Sequence, residues 1–314
     1  MSGLLAKIFL LKNIDNDYHY RLYCVMNLLN YQGELLVTHK KTLAISLLSL
    51  TALLAACNEQ PTKTASPATK TEADPFEQVV ADYRTYAIAE LDQFTEKTEA
   101  FTTAVKDGDL EQAKALYAPA RMYYERAEPI AEVFGDLDPK IDAREGDVKA
   151  SEWGGYHRIE QGLFEKGTTK GYEAYADQLM KDVHLLRAKV ETVEVTPELL
   201  VTGATDLLNE VSTSKVTGEE DRYSHTDLYD FAANVQGAEK IYQLLNPSLT
   251  KQDEALSEEI AARFKDVNAL LEAKKKGDGY VLYTELSKAD VKQLSQAINE
   301  LAEPLSKMGI VLEG

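Results

Sequence analysis

His157 and Glu160 stand three residues apart in the stretch Trp153-Gly154-Gly155-Tyr156-His157-Arg158-Ile159-Glu160. On a helix that spacing puts both side chains on one face. An imidazole nitrogen beside a carboxylate is half of a metal site. It is also what an ordinary helical surface pair looks like. Two ligands do not hold an ion, so the rest must come from elsewhere, and acidic side chains lie on both sides. Glu125 and Glu128 repeat the three-residue spacing. Read alone, they are a second such pair or exposed salt-bridge residues. Asp136, Asp138, Asp142, Glu145 and Asp147 crowd the segment from Gly135 to Asp147. It lacks the alternating ligands and terminal Glu of an EF-hand, which leaves a functional loop of another kind or a solvated charge run. Glu219, Glu220 and Asp221 precede His225. Ser224 and Asp227 make a capping-box-like pair. That reading places His225 in the first turn of a helix, where the dipole disfavours its cation and leaves a neutral imidazole suited to a metal. His184 reads as a surface or structural residue.

Helices must position these groups. The first runs from about Pro75 to Lys106 and stops at Gly108, with Tyr83, Phe94 and Phe101 among its apolar positions. Asp109 and Gln112 open a second helix, which carries Glu125 and Glu128 and is expected to kink at Pro119 and Pro129. A third carries His157. A fourth, from Tyr172 to Val195, has a core stripe of Leu179, Val183, Leu186 and Val190. Thr196-Pro197 is a helix start, with a cap and then proline at the first helical position. A sixth helix begins at Ser224 and ends near Leu245, before a turn at Asn246-Pro247-Ser248. A seventh runs from Thr250 to about Lys276. Gly277-Asp278-Gly279 breaks it, and a last helical region reaches Met308, with a further cap at Ser287 and Asp290. About eight helices of such length fit an all-α protein built of antiparallel bundles. Divided at Pro197, they give a duplicated pair of four-helix bundles, although no sequence repeat is visible.

The chain has 314 residues, 44% of them apolar, and a formal net charge of −18. Such a surface repels nucleic acid and is compatible with a cation as ligand. Lys40-Lys41 precedes a mostly apolar run that is too short to span a bilayer comfortably and has the layout of a secretory signal. Its end, Leu54-Ala55-Ala56-Cys57, resembles a bacterial lipobox, which implies cleavage before Cys57 and lipidation of its thiol. Residues 1–36 then form an extension upstream of the signal, with a true start near Met26 or Val37. Residues 37–56 are the signal, 57–74 a flexible tether without large apolar residues, and 75–314 the helical body. Cys24 and Cys57 do not define a disulfide framework.

Four stretches in order resemble the imelysin-like domain of EfeO/EfeM proteins from bacterial iron-uptake systems. They are Tyr124-Glu125-Arg126-Ala127-Glu128-Pro129, the run from Phe134 to Arg144, His157-Arg158-Ile159-Glu160, and the run from Thr217 to Leu228. The resemblance covers about residues 75–314. It implies an all-helical two-bundle fold, a periplasmic or cell-surface location, and metal binding through the His-x-x-Glu motif. It also implies an iron permease and a haem-dependent peroxidase as partners. The tether leads directly into the first helix, as in the shorter EfeM type without a cupredoxin-like domain. Glu125, Glu128, Asp142, Glu145, Asp221 and His225 are the candidates to complete the site. Glu125 and Glu128 come first, because their helix could face His157 across a bundle. Arg126 and Arg158 would repel a cation and are expected to hold carboxylates instead.

One imidazole with several carboxylates suits iron and also accepts zinc, manganese or copper. The leading expectation is a lipid-anchored iron-binding protein that hands metal to a permease. A metal-dependent peptidase of the imelysin class is the first alternative, although no His-Glu-x-x-His pattern is present. An acidic-polysaccharide binder and a lipoprotein without a ligand are the others.

Overall fold

The computed structural model describes residues 76–313. The upstream extension, the signal, Cys57 and the tether lie outside the described residues. The described part is all-α: α1 is Glu77–Asp107, α2 Leu110–Ala131, α3 Asp138–Asp142, α4 Gly155–Glu160, α5 Glu173–Val190, α6 Pro197–Thr213, α7 Asp227–Gln252, α8 Glu254–Glu272 and α9 Lys288–Glu313. A hairpin of two-residue strands, Lys275–Lys276 and Gly279–Tyr280, joins α8 to the last segment. None of these helices is long and apolar enough to cross a membrane.

Local chemistry sets most of the boundaries. α1 stops at Gly108, whose φ of +81° suits glycine. The Asp109 carboxylate then accepts the Gln112 N–H at 3.0 Å and caps α2. Thr196 caps α6 by accepting the Leu199 N–H at 3.2 Å, with Pro197 at the first helical position. Ser287 and Asp290 cap α9 reciprocally, each side chain accepting from the other's backbone N–H.

Several boundaries differ from the sequence reading: α5 ends at Val190 rather than Val195, α8 spans Glu254–Glu272 rather than Thr250 to Lys276, α9 runs on to Glu313, and the acidic segment contains α3. Two further differences have a clear physical cause. α7 starts at Asp227 rather than Ser224, because His225 adopts a φ of +59° and Ser224 is bonded to Glu160 instead of capping. α7 also continues through Pro247, where a turn was expected. Proline there removes one helical hydrogen bond, but Leu245 and Leu249 on either side are fully buried, and that packing outweighs the loss.

α1 packs on α2 and α5, while α6, α7, α8 and α9 pack on one another. The long contact of α2 with α7 joins the two groups. Phe94, Tyr117, Leu179, Leu208, Phe231, Phe264 and Leu301 belong to one continuous hydrophobic core. α2, α4 and α7 bring the polar residues of interest into that core.

Candidate metal centre

α4 is short, and its start explains where His157 lies. Gly155 has a φ of +72°, and a Cβ there would sit 2.3 Å from the Ile141 carbonyl oxygen. The first turn of α4 is therefore pressed against the backbone beside Asp142. After Glu160 the helix widens into a π-turn over Gln161–Glu165, a local irregularity common at functional sites.

His157 is buried, with 1% of its surface exposed. Its two ring nitrogens face different groups. On one side Nδ1 lies 3.0 Å from Glu160 Oε2 and 3.2 Å from the Tyr117 hydroxyl. Asp221 Oδ1 is 3.8 Å from the same nitrogen and accepts from the Tyr117 hydroxyl at 2.8 Å. The other Glu160 oxygen accepts the backbone N–H groups of Tyr223 and Ser224 at 3.0 and 2.8 Å and the Ser224 hydroxyl at 2.9 Å. Glu160 is thus fixed by the protein and orients the ring. On the other side Nε2 has no hydrogen-bond partner. Asp142 Oδ1 and Glu220 Oε1 each lie 3.7 Å from it, too far for a hydrogen bond. Three donors around one ion at metal–ligand distances of about 2.0–2.2 Å stand roughly 3–3.5 Å apart. Nε2, Asp142 and Glu220 are close to that spacing, and their ligand atoms lie within 4.8 Å of one another.

Arg121 holds this cluster together. Its guanidinium is 1% exposed and contacts Asp142 and Glu125, with Glu220 at 3.5 Å, Asp230 at 3.3 Å and Asp221 at 3.9 Å. Lys215, fully buried, pairs with Glu125 and lies 4.0 Å from Glu128 and 3.5 Å from Glu210. These cations set the protonation states. Burial works against a charge on Glu220, but Lys215, His157 and Arg121 outweigh it and hold the carboxyl well below the usual range. Burial also opposes a charged His157, as does Arg121. The Glu160 and Glu220 carboxylates, with Asp142, overcome both and raise the imidazole to about 10. Glu128 goes the other way, pushed well up by burial and then by Glu210.

The sequence candidates sort plainly. His157, Glu160, Asp142 and Asp221 come together. Glu125 and Glu128 do not reach His157: Glu125 is taken by Arg121 and Lys215, and the Asn234 amide donates to Glu125 and Glu128 at 3.0 and 2.9 Å. Glu145 lies at the surface, accepting from the Tyr223 hydroxyl at 2.6 Å. His225 uses its backbone, donating to the Asp221 carbonyl and accepting from the Tyr283 N–H at 2.8 Å each. Its imidazole belongs to neither ligand group among the described residues. Arg126 does pair with a carboxylate, Glu90, at 2.7 Å, but Arg158 stacks on aromatic rings instead.

Sequence reasoning missed Glu220, Arg121 and Lys215. Glu220 adjoins the candidate Asp221, and Arg121 stands four residues before Glu125, a helical ion-pair spacing. Nothing local marked Lys215. Asp142 and Glu220 also line a cavity of about 180 Å³, together with Glu128, Glu132, Asp138 and Glu210. Arg144 lines it as well and pairs with Glu220 at 2.8 Å. Burial pushes the Glu128, Glu132 and Asp138 carboxyls up, so the cavity is a polar approach to the two carboxylates nearest Nε2.

The family model described as Imelysin, a peptidase family by its label Peptidase_M75, matches residues 79–308. The chain is 47% identical over 289 residues to an "Efem/EfeO family lipoprotein" of Staphylococcus haemolyticus, a match covering 87% of this chain and 100% of that protein. It is 50% identical over 244 residues to a protein of the same description from Staphylococcus aureus, covering 76% of this chain and 86% of that protein.

Proposed function

Because the chain belongs to the imelysin family, among its EfeM/EfeO lipoproteins, we propose that it is an iron-binding component of an Efe-type uptake system in the cell envelope. The observation that carries this reading is the buried, unpartnered His157 Nε2 with two carboxylates 3.7 Å away. His157, Asp142 and Glu220 bind the ion as cargo. Glu160 holds the opposite ring nitrogen, so the His-x-x-Glu motif supplies one ligand and its orienter. Tyr117 and Asp221 close the same side of the ring. The cavity admits the cation. Its release goes to an iron permease, with a haem-dependent peroxidase in the same system. Lipid on Cys57 anchors the chain. The donor set also accepts zinc, manganese or copper.

The family label favours one second reading, a metal-dependent peptidase. Such an enzyme needs an open coordination position and a general base. Cleavage of peptides by the zinc-loaded protein, lost in His157→Ala, would establish it.

The metal reading is tested by stoichiometry. After anaerobic dialysis against ferrous iron, the wild-type protein retains one ion per chain and His157→Ala retains essentially none. Equal retention by the two proteins would place the ion elsewhere.

A further inference from the structure

Trp153 is the chain's sole tryptophan and is 6% exposed. Its indole N–H donates to the Ala143 carbonyl at 2.8 Å. Ala143 follows Asp142 directly. One face of the same ring meets the Arg158 guanidinium, 4.9 Å from the ring centroid, and Arg158 follows His157. Arg158 is held in turn by the rings of Tyr172 and Tyr175 at 5.6 and 5.3 Å, and by the Gln161 amide oxygen at 2.5 Å. The indole thus connects the residue after one candidate ligand to the residue after the other. Between them the chain makes an excursion from Arg144 to Glu152 that is largely exposed at its tip. Arg121 holds the Asp142 side chain, and Arg144 and Glu145 tie the excursion to Glu220, Arg222 and Tyr223. The indole closes the base of the excursion and links the two ligand-bearing segments directly.

We propose that Trp153 is a positioning residue for cation binding, clasping the Ala143 carbonyl to the Arg158 stack so that Asp142 and His157 stay at ligand spacing. This rests on the metal reading given above. The indole contributes in two separable ways: the N–H fixes the Asp142 side, and the ring face fixes the His157 side. Trp153→Phe removes the first and keeps an aromatic face for the second. Tyr175→Leu thins the aromatic cage and leaves the N–H bond in place. Residues that orient ligands from behind typically change metal affinity by 10–100-fold when lost.

The test uses zinc chloride as the probe, titrated calorimetrically into the metal-free protein at pH 7, with thermal unfolding of each variant. Trp153→Phe is expected to weaken zinc binding at least about tenfold, whereas Tyr175→Leu, which keeps both the N–H bond and the indole face on Arg158, lowers the melting temperature and weakens zinc binding clearly less than Trp153→Phe does. Wild-type Trp153 emission is expected to change saturably at the calorimetric midpoint, and not to change in His157→Ala. Wild-type affinity in Trp153→Phe overturns the inference. If that variant does not fold, the emission decides: no change in the wild-type protein on zinc saturation overturns it equally. Undiminished zinc binding by His157→Ala is a different failure, that of the metal site itself.

Discussion

Replacing Arg121 by Met destabilises the metal-free protein by about 3–5 kcal/mol, the cost of breaking a buried ion pair from one side. The guanidinium is 1% exposed and touches or approaches five carboxylates, on Glu125, Asp142, Glu220, Asp221 and Asp230. Methionine keeps much of the volume, so the loss is electrostatic rather than a cavity effect. The remaining cations, Lys215 and His157, are already committed to Glu125 and Glu160. Several carboxyls must then protonate or open to water. Zinc supplies a cation beside Asp142 and Glu220, so it is expected to recover part of the lost stability. Urea unfolding with and without zinc measures both effects. A loss below about 1 kcal/mol would match an exposed pair and contradict the role given to Arg121.

The second large effect is on pH dependence. Burial and Arg121 disfavour the imidazolium of His157, yet Glu160, Glu220 and Asp142 raise its pKa from 6.5 to about 10. A raised basic pKa contributes stability that is fully present below 6.5 and disappears as the pH climbs through about 10. At about 1.4 kcal/mol per unit, the metal-free protein should lose a few kcal/mol across that window. The ion takes the position of the Nε2 proton, so the metal-loaded protein is spared that loss. At neutral pH binding must release one proton from His157, and the affinity should rise roughly tenfold per pH unit between pH 6 and 9. Zinc titrations in two buffers of different ionisation enthalpy give the proton count. Binding without proton release, at an affinity independent of pH, would show that Nε2 is not a ligand.

Much of this was legible in the residues. The all-α class followed from periodic apolar positions, and the caps at Asp109, Thr196 and Ser287 from local chemistry that needs no tertiary information. The run from Thr217 to Leu228 was only half readable. Its acids mattered, but Glu160 reaches across from α4 and takes Ser224, so the expected helix start dissolved and His225 left the site. Glu125 and Glu128 show the same limit from the other side. Their spacing was sound, but spacing does not reveal that a buried lysine ninety positions away pairs with Glu125 or that the Asn234 amide bonds Glu128. Arg121 was visible only as one charge in a helix, because the five acids around it come from α2, α3, α7 and the loop before α7. Charge pairing at long sequence separation is a property of packing, and no local pattern encodes it.

The most direct test of the central claim is anomalous diffraction at the iron edge from crystals grown with ferrous iron under anaerobic conditions. The predicted result is a single peak about 2 Å from His157 Nε2, flanked by Asp142 and Glu220, with Glu160 still on Nδ1. A peak between Glu125 and Glu128 with Lys215 swung away, or no peak near His157 at full iron loading, would contradict it.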